Sequence, residues 1–177
     1  MVEQFEVQGV PHEEGFVRVR IVLLAVAMAA AAAPASAQLL AERNISLQAA
    51  RALADASIAC ARKDGYDVSV AVVDRAGDLK LLLRGDLANP HNAELARKKA
   101  YTARTYGVTT MEFRNRTRGT DLEGQRGLTD IIPLGGGVPI VVGNERVGGL
   151  GLSGAPTQEA DDKCAHEALK SAAAQLK

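Results

Sequence analysis

Tryptophan is missing from this sequence, and other aromatic residues are few: three phenylalanines and three tyrosines. Alanine and glycine carry much of the apolar content instead, which points to an interior assembled from close backbone contacts rather than large rings. Charge of one sign is also lacking, since 21 basic residues are matched by 21 acidic ones. Neither sign gathers into a long run, so neither nucleic acid nor a polybasic membrane contact is expected. Cysteine occurs only at Cys60 and Cys164. No repeat of fixed period is visible. Once residues 1–37 are set aside, about 140 remain, enough for one domain with one core and too few for two.

What is present near the start reads as a secretory signal. Arg18 and Arg20 form a charged beginning, Ile21 to Ala33 an apolar stretch, and Ala35-Ser36-Ala37 a small-residue cleavage site. The apolar run is shorter than the roughly 20 residues that span a bilayer, so cleavage is expected rather than anchoring, with no stable membrane insertion afterwards. The acidic stretch Met1 to Phe16 is out of place before such a signal, and translation is expected to begin at Val17. The organisation read from this is an extension and signal over 1–37 and one domain over 38–177. A periplasmic or extracellular location follows.

Within that domain, Ser46 is an N-cap for a helix over Leu47–Lys63, with Gly65 after its end. Asp67 to Asp74 alternates and is rich in valine, Arg75 to Asp78 is a turn, and Leu79 to Arg84 is a second strand. Asp74 and Asp78 flank the turn and are read as turn formers rather than a catalytic pair. A helix is predicted over Ala93–Tyr106 after Asn89-Pro90, and a short one capped by Thr109 and Thr110. Gly119 to Gly137 is predicted to be irregular and mobile. Val138 to Val142 and Arg146 to Leu152 form a hairpin around Gly143-Asn144, and a last helix runs Gln158–Leu176. This order gives an α+β fold, a largely antiparallel sheet covered by helices.

Four segments stand in register: Val70 to Leu79 (VAVVDRAGDL), Ala96 to Ala103 (ARKKAYTA), Gly135 to Ile140 (GGGVPI) and Gly148 to Asp161 (GGLGLSGAPTQEAD). Their order and spacing resemble the haem-binding and haem-degrading domain family, which includes secreted haem-binding proteins, the glycolate-operon accessory protein and the C-terminal domain of some cobalamin adenosyltransferases. The resemblance covers the chain from about Leu47 onward. It implies a profilin-like antiparallel sheet of about five strands, flanked by N- and C-terminal helices with further helices in the middle. It also implies haem as cofactor and assembly as a homo-oligomer. In the resembled fold the first and last helices lie side by side, which suggests a Cys60–Cys164 disulfide, with free thiols as the alternative.

Haem asks for an apolar slot, donors for two propionates, and an axial ligand, usually His, Cys, Met or Tyr. By the resemblance, Thr110 is the family's threonine after the KAYTA helix, in a segment implicated in haem contact, and Thr102 lies on that helix. Thr110 is also readable as a helix cap. His91 is the better iron ligand on chemistry alone, with a solvated loop histidine as its alternative. Arg84, at a strand end, can pair a propionate through its fork, and Tyr101 falls in the same region. Arg97, Lys98 and Lys99 read as a solvated helix face, and His166 lies on a polar one. Gly135, Gly136 and Gly137 form either an anion nest or a tightly packed loop; a strand rather than a helix follows, unlike a phosphate loop. Cys164 and His166 are two apart on one helix and do not face each other, so no nucleophile–base pair is found.

Three functions are carried forward. The first is an exported haem-binding protein, for sequestration or sensing with slow haem degradation, built around Arg84, His91, Tyr101 and Thr110, with His91 or Thr110 on the iron. The second is an enzyme or accessory protein acting on a small carboxylic acid or corrinoid, and the third a structural oligomer with no ligand. The partner is haem or another small anionic molecule.

Overall fold

Where the sequence alternates or repeats at helical spacing, the backbone follows. The computed structural model describes residues 39–176; the segment read as a signal lies outside them. Helix α1 (Leu47–Lys63) starts at Ser46, whose Oγ accepts the Ala49 N–H at 3.1 Å. Strands β1 (Ser69–Asp74) and β2 (Leu79–Arg84) form the first hairpin. Its turn is tied by Asp74, whose Oδ1 accepts the N–H groups of Ala76, Gly77 and Asp78 at 2.9–3.1 Å. Helices α2 (Asn92–Tyr106) and α3 (Thr110–Thr117) follow, then a 3₁₀ turn over Glu123–Gly127. Strands β3 (Gly137–Val142) and β4 (Glu145–Ser153) make the second hairpin. Helix α4 (Gln158–Ser171) ends earlier than Leu176, and a 3₁₀ turn over Ala173–Gln175 takes its last residues.

The sheet is antiparallel in the order β2-β1-β4-β3. It has four strands among the described residues, where the resemblance implied about five. Two hairpins supply four strands, and the residues ahead of α1 add a single backbone bond, from Ile45 N–H to the Val147 carbonyl at 3.3 Å. One bond does not make a ladder.

Side chains alternate across each strand, and this sorts the interior into two layers. Val70 and Val72 of β1, with Leu150 and Leu152 of β4, pack against Ala50 and Leu53 of α1 and Ala165 and Ala168 of α4. Ala71 and Val73 face the other way, toward Ala96 and Ala100 of α2. On that second face β4 presents Gly149 and Gly151, so α2 rests directly on the strand backbone. A methyl group at Gly151 would collide with the Ala96 carbonyl oxygen and the Ala100 amide, and one at Gly149 with the Ala100 carbonyl oxygen. The glycine-rich composition is spent here. Gly151→Ala is expected to destabilise the protein by roughly 3 kcal/mol, because backbone cannot yield as a flexible side chain does; urea unfolding measures it.

The segment from Gly119 to Gly137, expected to be mobile, is tethered at several points. Ile132 N–H donates to Thr102 Oγ1 at 2.9 Å, Gly135 N–H to Gln158 Oε1 at 2.8 Å, and Asp130 pairs with Arg97.

Candidate functional site

Arg84 and His91 flank one short turn at the start of α2. Arg84 Nε donates to the Ala88 carbonyl at 2.9 Å, and Asn92 N–H closes the turn onto the Asn89 carbonyl at 3.0 Å. His91 occupies the cap position of α2, exposed, with no capping bond from its imidazole. Beside this turn, Leu82 of β2 is exposed on the α2 side of the sheet, as is Leu87 in the turn; Leu79, also exposed, lies at the other end of β2, next to the first hairpin turn. A cation, an available imidazole and an apolar flank are thus together.

Tyr101 is on the same helix, ten residues beyond His91, which is about 15 Å of helix rise. Its half-buried ring lies against Gly77 in the first hairpin turn. Thr102 points elsewhere: it is buried, its hydroxyl donating to the Lys98 carbonyl at 2.8 Å while accepting from Ile132.

Thr110 is not the cap of α3. Thr109 is, accepting the Glu112 N–H at 3.1 Å. Thr110 is buried, and its hydroxyl accepts the Gly137 N–H at 2.8 Å. Gly137 opens β3, at the far edge of the sheet from β2, three strand spacings or about 14 Å away. Gly135 and Gly137 both spend their amides on side chains, Gln158 and Thr110, and Gly136 takes φ +108°, a region that favours glycine. Within one chain, therefore, Arg84 and His91 form one group, Tyr101 stands apart, and Thr110 with the glycines belongs to the opposite edge.

What holds that opposite edge was not foreseen. Lys99, read from its neighbours as part of a solvated face, is buried: its side chain and that of Asp161 are 3% and 5% exposed. Lys99 Nζ donates to Asp161 Oδ2 and to the Leu152 carbonyl, each at 2.8 Å, and Asp161 Oδ1 accepts the Ala155 N–H at 3.1 Å. Burial pushes the Lys99 ammonium down and the Asp161 carboxyl up from their ordinary ranges, against the opposing pull of each on the other. The pair joins α2, β4 and α4 under Gly136, whose backbone passes so close that a Cβ there would press on Asp161 Cβ at 2.7 Å. A signal for it existed. Ala96, Lys99, Ala100 and Ala103 occupy helical stripe spacing, and a lysine within an otherwise alanine stripe is a buried lysine.

Both cysteines are spent. Cys60 of α1 and Cys164 of α4 are joined, their Cα atoms 5.5 Å apart, so neither sulfur is open to a metal. Among the described residues, no three His, Cys, Asp or Glu side chains gather to hold an ion, and no helix is long and apolar enough to cross a membrane. A small groove of about 190 Å³ lies beside the stacked rings of Tyr106 and Phe113, whose centroids are 4.3 Å apart. That is below the size of a typical cofactor site.

Comparison with known proteins places this geometry in context. A family model described as "Haem degrading protein HbpS-like" matches residues 45–170. Protein GlcG of Escherichia coli strain K12 is 34% identical over 115 residues, 62% of this chain and 81% of its own. The structure of a Streptomyces reticuli HbpS double mutant superposes with a TM-score of 0.73 at 35% identity, over 80% of this chain and 97% of that one. The PduOC:haem complex gives a TM-score of 0.68 at 28% identity, over 72% of this chain and 94% of that one.

Proposed function

The chain belongs to the HbpS-like haem-degrading protein family, and from that premise we propose that it is an exported haem-binding protein. The observation that carries this is the extent of the match. Residues 45–170 take in every strand of the described fold and all of its α-helices but the last residue of α4, and one neighbour of the same fold is described with haem bound.

The residues of this chain suit the group at the Arg84–His91 turn. The exposed His91 imidazole supplies a nitrogen of the kind that ligates haem iron. Leu82 and Leu87 supply an apolar flank, and Arg84 a cation for a propionate. Thr110 does not suit iron, because its hydroxyl is buried and already bonded to Gly137. When bound, haem would supply a redox-active iron. The chain's own part would be to hold the ring against β2 and to pair one of its carboxylates with Arg84. Each chain offers one apolar wall, so a second copy closing over β2 is part of this proposal. Export is supported by the signal-like segment before the domain and by the Cys60–Cys164 link, since disulfides persist in oxidising compartments.

Titrating the protein with haemin and following the Soret band tests the reading. Wild type is expected to give a saturable shift, and His91→Ala a changed band and weaker binding. Thr110→Ala is expected to bind as wild type does while losing about 1 kcal/mol of stability with its bond to Gly137. A band change in Thr110→Ala alone would move the iron to Thr110, and no saturable shift in wild type would overturn haem binding.

A further inference from the structure

The end of the sheet beneath the first turn of α2 holds polar groups that the fold itself leaves unused. Ser69 is 0% exposed, and its Oγ has no hydrogen-bond partner. Pairing sets Ser69 opposite Arg84 of β2 and opposite Ser153 of β4. Opposed residues of an antiparallel pair project to the same face. Ser69 alternates with Ala71 and Val73, which pack on α2, so all three polar side chains lie on the α2 side.

Over them comes the start of the helix. Ala96 abuts Gly151, and Asn92, one turn earlier, reaches Gly154, where its Nδ2 would lie 3.2 Å from an added Cβ. Asn92 and Ser153 are only 5% and 4% exposed. His91 gives no side-chain cap, so apart from Asn92, whose N–H is bonded to the Asn89 carbonyl, the first-turn amides of α2 keep their partial positive charge. Arg84 is held through Nε by Ala88, which leaves its two Nη groups for another acceptor. Asp67, beside Gly85, accepts the Leu87 N–H at 2.7 Å through Oδ2, while its Oδ1 is buried without a hydrogen-bond partner.

We propose that Arg84, Ser69, Ser153, Asn92 and the first turn of α2 form a binding site for one carboxylate group. The fork of Arg84 matches two coplanar oxygens, the helix amides favour a single negative charge, and the two hydroxyls and the amide provide the remaining bonds. The carboxylate comes from a haem propionate, in which case the site rests on the haem reading above, or from a small free monocarboxylic acid, in which case it stands without that reading.

The experiment uses the full chain with acetate, haemin and haemin dimethyl ester as probes. Isotope-labelled protein is titrated with acetate and followed at the amides of Ser69, Asn92, Ala93 and Ser153; the two haemins are followed by absorbance. Arg84→Gln and Ser69→Ala are compared with wild type, and Ser69→Ala keeps the fold because it removes a hydroxyl that bonds to nothing. If the source is a free acid, acetate shifts these signals saturably and Arg84→Gln weakens it about tenfold, as loss of a charge-assisted bond requires. If the source is haem, acetate is silent, while esterification and Arg84→Gln each weaken haemin binding about tenfold. In either case Ser69→Ala weakens binding without lowering stability. Acetate binding with no haemin binding keeps this site and ends the haem reading. Haemin binding that is indifferent to esterification and to Arg84→Gln, with acetate silent, ends this site and keeps the haem reading. No response to either probe overturns both.

Discussion

Lys99→Met is expected to cost about 3–5 kcal/mol of stability, because it strands the buried Asp161 carboxylate without its cation. The loss is larger than for a surface ion pair, since water cannot reach in to replace the ammonium. Two further results identify the cause. Asp161→Leu added to Lys99→Met should recover most of the loss, since replacing both charges with apolar groups is often neutral. The single variant should also be more stable near pH 5 than near pH 8. The sign follows from burial, which already raises the Asp161 carboxyl in the native chain. Without Lys99 it rises further, so the folded state holds its proton to higher pH than the unfolded state does. Stability then falls as pH climbs through that window and levels off above it. Urea unfolding at the two pH values reads both effects, and a variant indifferent to pH would show that Asp161 is not left buried and charged.

Opening the Cys60–Cys164 link is the second large effect. The two residues are 104 apart in sequence, so the link closes nearly the whole domain into a loop. The loop-entropy model assigns about 4.7 kcal/mol to a loop of that order, and losses of about 2–5 kcal/mol are usual in small exported domains. Cys60→Ala with Cys164→Ala is expected to lower the urea midpoint accordingly. Dithiothreitol should lower wild type to the same midpoint and leave the double variant unmoved. Equal midpoints for wild type with and without reductant would show that the link is not formed.

Much of this fold was legible because its signals are local. Ser46, the valine alternation of β1, the Asp74 turn and the Gly143-Asn144 hairpin each specify their own element within a few residues. The family motifs then located the chain in its fold. The strand count was not local: the resemblance, not the sequence, supplied about five, and the described residues form four. The burial of Lys99 was missed for a related reason. Three basic residues in a row suggest a wet surface, while the alanine stripe at 96, 100 and 103 determines which of the three turns inward. Ser69 and Asn92 escaped notice because an unused hydroxyl and a buried amide have no sequence signature. Only the pairing of β1 with β2 and β4, and the docking of α2 on bare glycine, bring them beside Arg84.

Haem binding is the claim on which the functional account rests, and equilibrium dialysis of the full chain against haemin tests it without assuming a ligand or a site. The account predicts that haem is retained up to a fixed ratio per chain and that retention is lower for His91→Ala. Retention no greater than that of an unrelated disulfide-bonded protein, or rising with haemin without a plateau, would contradict it.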